Sequence, residues 1–317
     1  MPVLYSAKRF YSAWTVVFLL LFYTASPVYA QSPDVIKIPD VTIVLSEDGG
    51  PYLEFSNALQ KILASRGVSL RVIDADKPIP DSGLVIGVGV KGATMVAASN
   101  APAILNVFIP KAGYEKLRHD FPLRANSNTF SAIFLDQSVH RQIYLVSAIL
   151  PDKHKIGLLY SSPPEELEQI RKAVTEQGSS LYEQAVNSSL PLSEALHDIL
   201  GNSEVLLARP DAVIYNSSTI RNILLATYRS GVPLIGFSSG YVKAGALCAV
   251  FSTPAQIATQ AAALILQFGD EHVLPAAQYP REFEVMINEQ VARSLGLQIK
   301  GASVLHDEIK AEMRRAP

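Results

Sequence analysis

Short apolar runs that end in loops and alternate with amphipathic helical stripes predict an α/β chain of two Rossmann-like, doubly wound lobes with parallel sheets. Three observations carry the prediction. Residues 205–253 read strand, loop, helix, strand, loop, strand in close succession. A first series of strands and helices fills residues 41–150, and a second begins at 156. The composition, 49% hydrophobic and 18% charged, supplies enough apolar material for packed cores and argues against a disordered chain.

Taken in order, residues 41–46 form a first strand ending in Glu47-Asp48-Gly49-Gly50-Pro51, and Phe55, Leu59, Ile62 and Leu63 form a helical stripe that stops at Gly67. Strands follow at 68–73, 84–88 and 104–109, with a helix at 93–98 between the last two. Residues 130–135 are a strand, and Asp136-Gln137-Ser138 opens a helix bearing Val139, Ile143, Val146 and Leu150. The second series has strands at 156–160 and 181–186, with helices marked by Leu167, Ile170 and Val174 and by residues 192–200. Residues 205–208 then stop at Arg209, Pro210 and Asp211, as a buried strand stops in a loop at its carboxyl edge. Ile220, Ile223, Leu224 and Thr227 share a helix face before Gly231, and strands at 232–235 and 247–251 flank the loop Gly236 to Tyr241. A helix at 256–268, a strand at 283–287, a helix at 288–295 and a charged solvated helix over 306–315 complete the chain.

Several function classes drop out at this level. A net charge of −2 offers no basic patch for nucleic acid. The six histidines are scattered without metal-ligand spacing, so neither a metal nor a cofactor is expected. Cys248, the only cysteine, lies inside an apolar run and reads as a buried, inert thiol. Residues 1–30 have the pattern of a secretory signal peptide: Lys8 and Arg9, an apolar run over 14–23, then Ser26-Pro27-Val28-Tyr29-Ala30. Cleavage near Ala30 predicts a periplasmic protein, and no cysteine stands near the cut to anchor a lipid.

Two motifs point toward other chemistry. Gly87-Val88-Gly89-Val90-Lys91-Gly92 fits G-x-G-x-x-G, but it follows the third strand, not the first. The plainer reading is a tight turn whose backbone N–H groups face a cleft and suit an anionic or polar ligand group. Gly236-Phe237-Ser238-Ser239-Gly240 matches the G-x-S-x-G elbow of a serine hydrolase, with Asp270 or Glu271 and then His272 or His306 in triad order, but little chain remains after it for the large loops of a hydrolase.

Pro210-Asp211, Tyr215-Asn216, Asn222-Ile223-Leu224-Leu225, Val232-Pro233-Leu234-Ile235-Gly236-Phe237, Tyr241-Val242, Ala244-Gly245-Ala246 and Ser252-Thr253-Pro254 stand in an order that resembles a known family. Phe134-Leu135-Asp136-Gln137 with Arg141-Gln142, Gln278-Tyr279-Pro280 and Ile287-Asn288 extend the match. The chain is similar to the substrate-binding proteins of ABC transporters, a class I periplasmic binding protein type related to the aromatic amino-acid binders. The resemblance implies two lobes joined by a multi-strand hinge, no catalysis, a small-molecule ligand in the interlobe cleft and an ABC permease as partner of a monomer. It implies crossings near residues 129–134, 249–253 and 279–284. The N-terminal lobe is then residues 31–133 plus 253–280, and the C-terminal lobe 134–252 plus 281–317. The loop Ser46-Glu47-Asp48-Gly49 departs from the aromatic amino-acid binders.

The ligand-binding candidates are the loop residues at strand ends. They are Ser46, Glu47, Gly49, Gly89, Lys91, Asp136, Gln137, Tyr160, Ser161, Asp211, Tyr215, Asn216, Phe237, Ser238 and Tyr241. Tyr215, Phe237 and Tyr241 are expected to offer flat apolar faces, with Asp211 and Asp136 fixing a cationic or donor group. A periplasmic sensor with the same fold, or the serine hydrolase, are the alternatives.

Overall fold

A computed structural model describes residues 40–81 and 83–315. The expected signal segment lies outside them. Two sheets organise the described chain. The first comprises β1 (Val41–Leu45), β2 (Leu70–Asp74), β3 (Leu84–Val88), β4 (Ala103–Ile109) and β5 (Phe130–Phe134) in the order β2-β1-β3-β4-β5. The second comprises β6 (Lys155–Tyr160), β7 (Ser180–Ala185), β8 (Val205–Leu207), β9 (Leu234–Gly236), β10 (Cys248–Phe251) and β11 (Glu284–Ile287) in the order β11-β10-β9-β8-β6-β7. β1, β3, β4 and β5 are buried along their whole length, which is why they read as mainly apolar runs, with Thr42, Asn106 and Ser131 as buried polar interruptions.

Helices cover both faces of each sheet. On the first, α1 (Gly50–Ala64) seals one face through Phe55, Leu59 and Leu63, while α2 (Gly89–Ala97) and α3 (Lys111–Asp120) seal the other. The short turn α4 (Pro122–Ala125) follows α3. On the second, α5 (Val139–Ile149) and α6 (Leu167–Glu176) lie on one face, and α7 (Leu192–Asn202) and α8 (Ile220–Arg229) on the other. α9 (Ser239–Ala244) follows β9. α10 (Pro254–Glu271) leaves the second sheet to pack against α1, contributing Ile257, Ala261, Leu264 and Ile265 to the first core. Its start is set by a reciprocal cap between Thr253 and Gln256. α11 (Glu289–Ser294) and α12 (Ala302–Arg315) close the second lobe.

The structure departs from the sequence reading most clearly in three places, besides α2 starting at Gly89 and α9 forming within the expected loop. α3 was not expected: only Tyr114 and Leu117 of its ten residues are buried, too narrow a stripe to stand out from its polar neighbours. α12 starts four residues earlier than the charged stretch and buries Leu305 and Ile309. The second sheet is not wholly parallel, since β11 runs antiparallel to β10. The chain leaves β10 at the hinge, passes through α10, and re-enters from the same end, so its next strand must run back.

Crossings between the sheets occur after β5, after β10 and before β11. An isolated bridge pairs Ile133 with Gln278, so the third crossing starts beside the first. Arg141, on α5, ties these segments together. Its guanidinium donates to Gln137 Oε1, to Pro280 O at 3.1 Å and to Arg281 O at 3.4 Å, and lies 4.3 Å from the Phe283 ring centroid. Burial lowers its pKa to about 10, and Glu282 opposes that shift.

Candidate functional site

In open α/β sheets a crevice opens beyond the carboxyl ends of two strands whose following connections run to opposite sides. Here those pairs are β1 and β3 in the first sheet and β6 and β8 in the second. At the carboxyl ends of these four strands stand Ser46 to Gly49, Gly89 as the first residue of α2, Tyr160 as the last of β6 with Ser161 after it, and Arg209 to Asp211.

The lobes meet in a polar cluster at the β6/β8 point. Glu166, at the N-cap of α6, is 3% exposed. Its Oε1 lies 3.3 Å from Arg209, 3.4 Å from Lys111 Nζ and 2.5 Å from the Tyr279 hydroxyl that donates to it. Arg209 also reaches Asp136 Oδ1 at 3.4 Å, and Asp136 Oδ2 accepts the Lys111 backbone N–H at 2.7 Å. Burial pushes the Asp136 carboxyl up against the pull of Arg209 and the Lys111 N–H. Burial pushes Glu166 up too, but Arg209, Tyr279 and Lys111 outweigh it and hold the carboxyl below its ordinary value. The Tyr279 phenol is raised by burial and by its bond to Glu166. A cavity of about 50 Å³ adjoins the cluster, bordered by Asp136, Tyr160, Ser162, Glu166, Arg209 and Asp211.

Sequence reasoning placed Asp136, Tyr160 and Asp211 here and missed Lys111, Glu166, Arg209 and Tyr279. Arg209 had a usable signal, a cation directly after an apolar strand at the crevice. Glu166 had none, since it lies in a proline-rich loop and its partners are 43 to 113 residues away.

On the first-lobe wall, Ser46 is engaged within its own lobe. Its hydroxyl donates to Val88 O at 2.6 Å and accepts from Gly92 N at 2.8 Å, holding the end of β1 on the start of α2. The glycine motif serves the same close approach. A Cβ on Gly87 would stand 2.7 Å from Ala93 Cα, and one on Gly92 2.6 Å from Val44 O. Gly89 has φ +74 and no room beside Ser46 and Tyr52. Glu47 and Lys91 are exposed, and Gly49 is half-buried. A feature without a sequence signal is Phe108, whose φ of +54 accompanies a register shift in β4 and turns its ring edge-on to Tyr52 and Phe55.

On the second-lobe wall Phe237 and Tyr241 are half-buried, with ring centroids 4.3 Å apart. Tyr215 is brought to them edge-on at 6.2 and 6.4 Å, but it is 5% exposed and belongs to the lobe core. The expectation of a third open face therefore gives way to a supporting ring, to whose backbone carbonyl the Tyr241 hydroxyl donates at 3.0 Å. Ser238 has φ −153 and ψ 162, ordinary extended backbone, not the strained turn of a nucleophile elbow.

Asp211, Asn216 and Gln137 each carry local bonds. Asp211 accepts Ser161 N at 2.7 Å on one oxygen and Val213 N at 3.0 Å on the other, joining the β6 and β8 loops. Asn216 caps its own turn, accepting from Ser218 N at 3.0 Å and donating to Ala212 O at 3.0 Å. Gln137 is 1% exposed and spans the hinge between Ser252 and Arg141. Asp211→Asn is accordingly expected to lower stability by about 1–3 kcal/mol, because an amide cannot accept at both oxygen positions. A urea titration against the wild type measures the loss.

Among the described residues no group of His, Cys, Asp and Glu is arranged to hold a metal ion, and no helix is long and apolar enough to cross a membrane. Cys248 is fully buried and its thiol pKa is pushed up by burial.

Comparison with curated proteins finds no match. Solved structures show the fold. A conserved domain protein from Vibrio cholerae O1 biovar El Tor is 19% identical with a TM-score of 0.62, covering 84% of this chain and 97% of its own. An ABC domain in complex with L-Trp from Streptococcus pneumoniae is 16% identical with a TM-score of 0.61, covering 84% and 98%. A substrate-binding protein with adhesive properties from Clostridium difficile, in its ligand-free, open structure, is 14% identical with a TM-score of 0.61, covering 82% and 96%. The sequence profile described as "ABC transporter substrate binding protein" matches residues 131–309. With its crevice loops, its three crossings and this match, the chain belongs to the ABC transporter substrate-binding protein family.

Proposed function

We propose that this chain is exported, captures a small molecule between its two lobes, and presents the closed form to an ABC permease for import. The observation that carries the proposal is the Lys111–Glu166–Arg209–Asp136 cluster, which joins the lobes through titratable side chains at a strand crevice. Groups so placed change partners when the lobes separate, and so couple closure to what lies between them. The lobes divide at 133/134, 252/253 and 280/281, with the signal segment removed near Ala30. The half-buried Phe237–Tyr241 pair suits a flat apolar part of the ligand, as does the L-Trp bound by the S. pneumoniae neighbour.

The test is a thermal-shift screen of residues 31–317 against amino acids, nucleosides, sugars and small organic anions. A true ligand at 100 times its Kd stabilises by about 2.7 kcal/mol. A screen in which no compound raises the melting temperature rejects the reading.

A further inference from the structure

The geometry points to a small-anion subsite on Arg209, filled in this structure by the chain's own Glu166, so that the captured ligand bears a terminal carboxylate or another oxyanion. This rests on the binding-protein reading and specifies the chemistry of that ligand. Arg209 is 7% exposed, and its Nη1 is buried without an acceptor among the described residues. Only Nη2 is engaged, at 3.4 Å to Asp136 and 3.3 Å to Glu166, longer than the ~2.7–2.9 Å of a well-formed charged pair. A guanidinium presents a planar fork of donors that matches an oxyanion at two points. Neither carboxylate meets it that way. Asp136 gives its second oxygen to the Lys111 N–H, and Glu166 gathers Arg209, Lys111 and Tyr279 on a single oxygen.

The cluster holds two cationic and two anionic side chains, so its formal charge is balanced. An incoming cation finds the carboxylates already engaged, whereas an incoming anion finds a buried donor without an acceptor. The cavity of about 50 Å³ has room for a small polar group beside Arg209. Glu166 stands at a helix N-cap on a loop, so it yields its place without disturbing a strand.

Calorimetry with phenylacetate, its neutral isostere phenylacetamide and inorganic phosphate tests the assignment on the mature wild type, Glu166→Gln and Arg209→Lys, with melting curves as the folding control. Wild type is expected to bind phenylacetate at least tenfold tighter than phenylacetamide. Glu166→Gln should bind phenylacetate or phosphate at least threefold tighter than wild type does, because the competing charge is gone. Arg209→Lys should lose the tenfold preference for the acid over the amide. Binding of phosphate without phenylacetate supports the subsite and assigns it to phosphate-type anions. Equal affinity for acid and amide, or a preference that survives in Arg209→Lys, overturns the anion subsite and leaves the binding-protein reading standing. Absence of binding by all three probes overturns the subsite; only failure of the wider thermal-shift screen removes the reading beneath it.

Discussion

Replacing Arg209 by Met lowers the unfolding free energy by about 3–5 kcal/mol, the cost of leaving a buried charge without its partner. Asp136 and Glu166 are 4% and 3% exposed, and Arg209 is the cation they share. Lys111 and Tyr279 still reach Glu166, which places the loss toward the lower end of that range. The triple replacement Arg209→Met, Asp136→Asn, Glu166→Gln should recover most of it, since the penalty belongs to unpaired charge and not to lost packing. The pH dependence has a definite sign. Without Arg209 both folded carboxyls titrate higher than in the wild type, and any that rises above its unfolded value contributes stability below that value and loses it as pH rises through the folded pKa. The deficit relative to wild type therefore narrows as the pH is lowered toward the carboxylate range. Urea unfolding at several pH values measures it, and a deficit independent of pH, or no deficit, refutes the account.

Arg141→Met is expected to cost about 3 kcal/mol, from buried acceptors stranded at about 1–3 kcal/mol each. Gln137 Oε1 and Pro280 O both lose their donor, and the stacking of the guanidinium on Phe283 goes as well. Met retains much of the apolar volume, so the loss reports hydrogen bonding at the hinge. Arg141→Lys should recover less than half of it, because an ammonium cannot reproduce the fork that spans Gln137 and the third crossing. Unfolding midpoints at unchanged slope give the comparison. Equal stability of Arg141→Lys and wild type would show that charge alone matters there.

Much of the architecture was legible because it depends on short-range pattern. Fully buried strands such as β3 leave apolar runs, and α1, α8 and α10 leave apolar stripes at helical spacing. α3 was not legible, since two buried residues in ten make no stripe. Of the candidate site, the loops were legible but the duties of their side chains were not. Asp211 and Ser46 stand at strand ends as expected, yet each is engaged by backbone groups of a neighbouring loop or helix.

The sequence by itself determined the α/β class, the order of the strands and of most helices, and the family to which the chain belongs, because these reside in local periodicity and in the succession of motifs. Tertiary structure alone decided that β11 runs against β10, that Tyr215 is a buried support, and that Glu166 and Tyr279, 113 residues apart, meet Arg209 and Lys111 at the seam between lobes. The physical reason is range. Helical and strand periods are written within a few residues, whereas a buried charge finds its partner only when distant strand ends are brought to one crevice, and no local pattern records which ends will meet.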